Sequence, residues 1–511
     1  MSYATSMLLA SNAKTTKSSD AKPRVLASPE KPKIVSRKNQ RTARLPTIQI
    51  PRSFEQTYKG EQIMKNRLII PTLMVAALVL GDSITIAAAQ SSSGEVDLNA
   101  LQAPQFKQIA SMAASNSNAP RSAAPCVGGY AGEYPCKGID LLSFVPSADL
   151  GGTFINDIWG WTDPVTGSDY ALVGGIEGLA VVDISDPRRP VVLGGLPTHS
   201  TEGGDFWRDV KVYADHAFVV SENDGHGMQV LDLGQLRNID VSGGPVLFAE
   251  TAHYAGIGHS HNIAINEDTG YAYILGSHEC SGGPHMVDIS DPANPAFAGC
   301  FADHGYTHDA QCVVYQGPDA DYAGREICFG SNANFDGTPF FNTLSIADVT
   351  DKSNPEGIAN AEYPGGEDGY SHQGWLTPDH SYFLHGDELD ELIFGNNTRT
   401  RIWDVRDLDN PVVIGVFDNS TASIDHNIYV QGRYAFVSNY TSGLRIYDLT
   451  NVASGEISET AYFDVFPESD GAFFVGSWSN YPFFAQKGIV AVSSMDRGLF
   501  ILQPRIDRSG N

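Results

Sequence analysis

Four histidines, His261, His308, His372 and His426, each stand directly ahead of a second polar residue: Asn262, Asp309, Gln373 and Asn427. Each pair opens a short strand-like run, as in SHNIAIN, THDAQCVVY, SHQGWLT and DHNIYVQ. Imidazoles delivered from equivalent positions of separate repeats can converge on one transition-metal ion through neutral ring nitrogens, with carboxylates and amides around them. The expected ligands are these four histidines, with Asp157, Asp209, Asp309 and Asp425 as an outer layer and zinc, copper, iron or manganese as the ion. A competing reading needs no metal. A polar residue at each strand start ties neighbouring repeats together, the imidazole donating to a carbonyl next door. Arg208 holds the equivalent place in an earlier repeat and would repel a cation if it pointed inward.

The same positions could instead line a pocket for a small molecule or a protein. Arg208, Trp207, Trp375, Trp478, Asn262, Gln373 and Asn427 are its expected contacts, with Trp159 and Trp161 close by in sequence. Tryptophans near a polar ring suit a sugar or a peptide, and they equally suit packing between repeats. His385-Gly386-Asp387-Glu388-Leu389-Asp390-Glu391 places four carboxylates in five positions. It lacks the alternating spacing of a dedicated calcium loop and is expected to be a solvated hairpin tip, with Arg399 and Arg401 as ion-pair partners. His259 and His304 are expected on the face of the four histidines, and His278, His285, His380 and His385 in loops or outer strand ends. No G-x-S-x-G, P-loop, dinucleotide fingerprint or H-E-x-x-H occurs, so no catalytic residue is assigned.

The elements that must position these residues repeat. Polar starts fall at 156, 208, 261, 308, 372, 426 and 477, with spacings of 52, 53, 47, 64, 54 and 51 residues. Each unit continues with a YAFVS-like strand, an apolar strand ending in Asp (VVDISDP, VLDLGQL, MVDISDP, IADVTDK, IWDVRDL, IYDLTNV) and a further strand. Four short strands per unit, parted by Pro, Gly, Asn and Asp turns, predict an all-β, seven-bladed propeller. Asp caps each turn while Pro fixes φ where no ladder donor is needed. The seventh unit ends on its third strand, GLFILQP, and GIDLLSF near the front is the spare strand expected to complete that blade and close the ring.

Charge and cysteines bound the rest. The first 89 residues hold 14 Lys/Arg and 5 Asp/Glu, leaving 19 and 55 for the remainder of a chain with net charge −27. So acidic a body repels nucleic acid and anionic lipid. Six cysteines allow several pairings. Cys312 and Cys328 lie in consecutive strands and either face each other across a ladder or are buried thiols; Cys126 with Cys136 closes a small loop, leaving Cys280 with Cys300. Residues 1–63 are basic and lack apolar periodicity. Residues 64–89 (MKNRLIIPTLMVAALVLGDSITIAAA) read as a signal peptide, which makes Met64 the expected true start. Residues 90–125 read as a linker, 126–504 as the propeller and 505–511 as a polar tail.

The recurring VVDISDP and MVDISDP strands resemble the LVIVD repeat. YTHDAQCVVYQGPDADYAGREICF, YSHQGWLTPDHSYFLHGDELDELIFGNNTRTRIWDV and IDHNIYVQGRYAFVSNYTSGLRIYDL resemble the exported choice-of-anchor B proteins across roughly residues 125–504. That resemblance implies a propeller displayed outside the cell by carboxy-terminal anchors and brings no established activity. The closing RIDRSGN has no apolar tail, so a periplasmic or extracellular protein without a membrane span after signal removal is expected. The expected function is an exported, monomeric module that binds a ligand or protein at its channel face. The alternatives are a metalloenzyme built on the histidine ring and a structural element of the envelope.

Overall fold

Each repeat unit is half polar at its start and apolar thereafter, which drives its strands to stack around a shared axis. The computed structural model describes residues 122–507 apart from 153, 203–205, 334–341, 366–368 and 485, with the backbone of Met74–Leu80 and Ser83–Ala89. Those two segments pair antiparallel, Met74 opposite Ala89. The expectations for residues 1–63, for most of the leader and for 90–121 lie outside the described residues.

Seven sheets follow, one per unit, antiparallel except where Val246–Leu247 adds a parallel edge strand to blade 1. The innermost strands, in order, are Ile155–Thr162, Arg208–Tyr213, Asn262–Asn266, Thr307–Val314, Ser371–Leu376, Ile428–Gln431 and Ser477–Phe484. Each inner strand touches the next around the ring, and that of blade 7 touches that of blade 1. Blade 7 is completed by Ile139–Pro146, which pairs antiparallel with Gly498–Pro504. The expected seven-bladed closure by a front strand is therefore the observed one. Blade 6 gains an outer extension as Tyr134–Lys137 pairs with Ser458–Phe463.

The apolar core is divided into seven layers, one between each pair of neighbouring blades. Third strands are therefore buried on both faces, as in Gly178–Asp183, where Leu179 to Val182 are all inside. This is why they read as unbroken apolar runs instead of alternating ones. The Asp ending each run caps the next turn: Asp183, Asp232, Asp288, Asp348, Asp404 and Asp448 each accept the backbone N–H two residues on, at 2.8–3.1 Å. A bulge between third and fourth strands recurs in blades 1, 3, 4, 5, 6 and 7.

Three disulfides join Cys126 to Cys136, Cys280 to Cys300 and Cys312 to Cys328. The last crosses the first ladder of blade 4, where the two residues are direct partners. This pairing fits an oxidising compartment. Among the described residues, no helix is long and apolar enough to cross a membrane.

Candidate functional site

Residues at the start of the inner strands gather at one mouth of the channel because each strand begins there. Ladder irregularities at the polar start of blades 1, 4, 5 and 7 reorient the side chains locally. The four histidines form an arc: ring centroids are 4.3 Å apart from His261 to His308, 4.3 Å from His308 to His372 and 4.2 Å from His372 to His426.

Their ring nitrogens differ in role. His308 Nδ1 lies 2.7 Å from the carbonyl of His372, and His426 Nδ1 lies 2.5 Å from that of Trp478. A nitrogen facing a carbonyl must carry the proton, so Nε2 of each keeps its lone pair. His372 Nε2 and His426 Nε2 stand 3.8 and 3.7 Å from the two carboxylate oxygens of Glu388. Burial, with help from neighbouring imidazoles, holds His308 and His372 well below the ordinary histidine range; burial holds His426 down to about 3. All three are neutral near pH 7. His261 is different. Burial opposes its charge, but Glu222, which meets Nδ1, raises its pKa above the ordinary value.

Glu388 corrects one sequence expectation. The 385–391 cluster is no solvated tip: Asp387, Glu388, Asp390 and Glu391 are all buried, as is His385, which contacts Ser371 and Trp403. Glu388 enters the histidine arc, where Tyr440 donates to it at 2.7 Å and burial pushes its pKa up to about 7. An apolar cluster that includes Trp207, Tyr370, Tyr440 and Trp478 packs at this mouth. Trp478 lies 4.8 Å from His426 and Trp207 6.3 Å from His261, centroid to centroid.

In four of the pairs the second residue joins blades. Asp209 accepts from Ile263 N and Gln373 from Ile428 N; Asn262 donates to the His308 carbonyl and Asn427 to Ser479 Oγ. These contacts place blade 7's pair at Trp478–Ser479, one residue later than the sequence pattern suggests, because the Trp478 carbonyl receives His426 as the His372 carbonyl receives His308. Arg208 is committed elsewhere: its guanidinium reaches the Gly175 carbonyl and Thr198 Oγ1 of blade 1 and His226 Nε2 of its own blade. Asp425 is drawn toward the buried 387–391 cluster, where its strongest carboxylate neighbours are Asp390 and Asp387.

Further along the channel, Asp157, Asp209 and Asp309 surround Lys211, whose ammonium is 2.5 Å from Asp209 and 3.8 Å from Asp157. Burial, then Asp209, pushes Asp157 well above the ordinary carboxylate range, and burial pushes Asp309 up to about 7. Beyond them opens a cavity of about 470 Å³. Three residues after each polar start stand Trp159, Lys211, Ala264, Gln311, Trp375, Tyr429 and Tyr481, and all seven line it. The aromatic ones come from blades 5, 6, 7 and 1 and make edge-to-face contacts around Phe483 and Tyr429. Trp161 is elsewhere, stacked on Tyr170. Sequence reading missed Lys211 and Tyr429, which the offset of three from the polar starts could have found, Tyr481, which needed the corrected start of blade 7, and Glu222, which lies outside the repeat pattern.

Comparison with known proteins gives the repeat and no more. The LVIVD repeat model matches residues 165–198 and 257–303. The chain is thus a β-propeller carrying LVIVD repeats. No curated protein matches. Among solved structures it is similar to the β-propeller domain of Cps50 (Swd1) from Myceliophteria thermophila, at 12% identity and a TM-score of 0.46, covering 71% of this chain and 99% of that one. It is also similar to a protein of unknown function from Desulfotomaculum acetoxidans, at 12% identity and a TM-score of 0.43, covering 66% and 90%.

Proposed function

We propose that this is an exported propeller of the choice-of-anchor B type that binds a transition-metal ion at its channel mouth through His372, His426 and Glu388, with His308 beside them in the arc. One observation carries the reading: the Nε2 atoms of His372 and His426 lie 3.8 and 3.7 Å from the Glu388 oxygens. That is too far for hydrogen bonds and matches the roughly 3–4 Å expected between two donors that each sit about 2.1 Å from one ion. The carbonyls behind His308 and His426 supply the outer contacts that fix ligand tautomer and aim. Neutral imidazoles and a carboxylate suit zinc, copper, iron or manganese. The test is elemental analysis of the full-length chain purified without chelators or a histidine tag. Near-stoichiometric metal, lost in a His308→Ala/His372→Ala variant that still folds, supports the proposal. Folded protein that neither carries nor takes up such an ion overturns it.

The cavity favours a second reading, the channel as a ligand-binding module. Its rigid aromatic wall of Trp159, Trp375, Tyr429 and Tyr481 faces Asn266, Gln311 and Asp309 across the space. An apolar face opposed by amides and carboxylates is the chemistry that holds a saccharide. Saccharide-dependent quenching of tryptophan fluorescence, abolished in Trp375→Ala, is the expected result; sugars that leave the spectrum unchanged would retire it.

A further inference from the structure

The channel cavity is not uniform around its ring. Blades 5, 6, 7 and 1 present Trp375, Tyr429, Tyr481 and Trp159 to it, whereas blades 2, 3 and 4 present Lys211, Ala264 and Gln311 at the equivalent places. Ala264 is the smallest of the seven, so the space extends toward blade 3, where Asn266, Glu267 and Asp268 take over the lining. Glu267 and Asp268 follow the inner strand Asn262–Asn266 in the turn to Tyr271–Leu275, and both are exposed. The charge of Glu267 reaches across the channel to blade 7: burial, then Glu267, holds the Tyr481 phenol above its ordinary range.

The charges around this space do not balance. Lys211 is the one cation among the described residues that line it, against Glu267, Asp268 and Asp309. Its ammonium is already matched by Asp209 at 2.5 Å, a residue outside the lining. Partial burial in the mouth, then Asp268, raises the Glu267 carboxyl, and no cation offsets them. The aromatic wall opposite accepts positive charge on its ring faces, as the Lys211 ammonium 4.8 Å from the centre of Trp159 shows. Gln311 spends its carbonyl oxygen on the Leu376 N–H, which leaves its NH2 group for a hydroxyl in the cavity.

We infer that the cavity takes an amino sugar, its ring laid on the aromatic wall and its protonated amine directed at Glu267 and Asp268. The inference rests on the saccharide reading of the cavity and adds to it the charge of the sugar. A neutral saccharide leaves the blade 3 carboxylates without a counter-charge, and an anionic one is repelled by them. The volume of about 470 Å³ lies in the ordinary range of small-ligand sites.

The experiment titrates the full-length chain in mild acid, where the sugar amine is protonated, with the glucosamine disaccharide, its N-acetylated form and cellobiose, read by tryptophan fluorescence and calorimetry. The glucosamine disaccharide should bind at least about tenfold more tightly than the other two, the worth of a hydrogen bond to a charged group. Glu267→Gln/Asp268→Asn should bring it down to the affinity of cellobiose. The advantage should also shrink with added salt, because both carboxylates are exposed. Equal affinity for all three sugars would overturn the inference and leave the saccharide reading standing. Binding of none of them would end both. A preference that survives the double substitution, or amino-sugar binding that persists in Trp375→Ala, would place the amine elsewhere on the acidic surface and overturn the inference equally.

Discussion

Replacing Lys211 with methionine tests how the channel tolerates its own charge. The ammonium is buried, 2.5 Å from Asp209, 3.8 Å from Asp157 and 4.8 Å from the centre of the Trp159 ring. Methionine fills similar volume, so the effect read is electrostatic. Removing one partner of a buried pair costs about 3–5 kcal/mol, because the other charge stays desolvated and unpaired. Here Asp157 is abandoned as well, which puts Lys211→Met near the upper end, about 5 kcal/mol at pH 8. The cost must shrink in acid. Asp157 already has a raised pKa from burial and from Asp209, and a carboxyl raised in the folded state is stabilising below its unfolded value and loses that contribution as pH rises. At pH 5 Asp157 can take up a proton, and the expected loss is about half. Asp209→Asn in the Lys211→Met background should recover much of the stability, since an amide oxygen still accepts the Ile263 N–H now 2.9 Å from Asp209. Urea unfolding followed by tryptophan fluorescence at both pH values measures all of this. A loss under about 1 kcal/mol at pH 8, or no rescue by Asp209→Asn, would refute the reasoning.

Three further outcomes are expected. Asp464, buried after the outer strand of blade 6, has its pKa pushed up to about 7 by burial; its stabilising contribution is complete below about pH 4 and is lost as pH rises through 7. Asp464→Asn should therefore gain up to about 4 kcal/mol over the parent at pH 8 and almost nothing at pH 4, in paired denaturant melts. Cys126→Ala/Cys136→Ala opens a bridge between residues 10 apart in sequence and should lower stability by about 3 kcal/mol, read by calorimetry against the oxidised parent. Deleting the chain through Pro146 removes the outer strand of blade 7, so the product should be non-cooperative in thermal melts or should self-associate through the exposed Gly498–Pro504 edge; a monomeric, cooperatively folding product would count against ring closure by that strand.

The sequence by itself determined the repeat, the seven blades and the closing strand, whereas the disulfide pairing, left open among several, was decided by the structure. The first three depend on spacing and apolar pattern, and both survive folding because every blade buries the same faces against its neighbours. The offset of three residues that lines the cavity was legible in six blades, and the seventh needed the strand register that the structure supplied. What the tertiary structure alone decided was which polar residues meet. Arg208 and His261 share a repeat position, yet one binds the blade 1 side and the other pairs with Glu222, a residue outside the repeat pattern. Glu388 looked like part of a charged loop tip because charge density in sequence says nothing of depth. It became a partner of His372 and His426 because the chain from blade 5 folds inward over the mouth, and contacts 16 and 38 residues apart in sequence have no local signal.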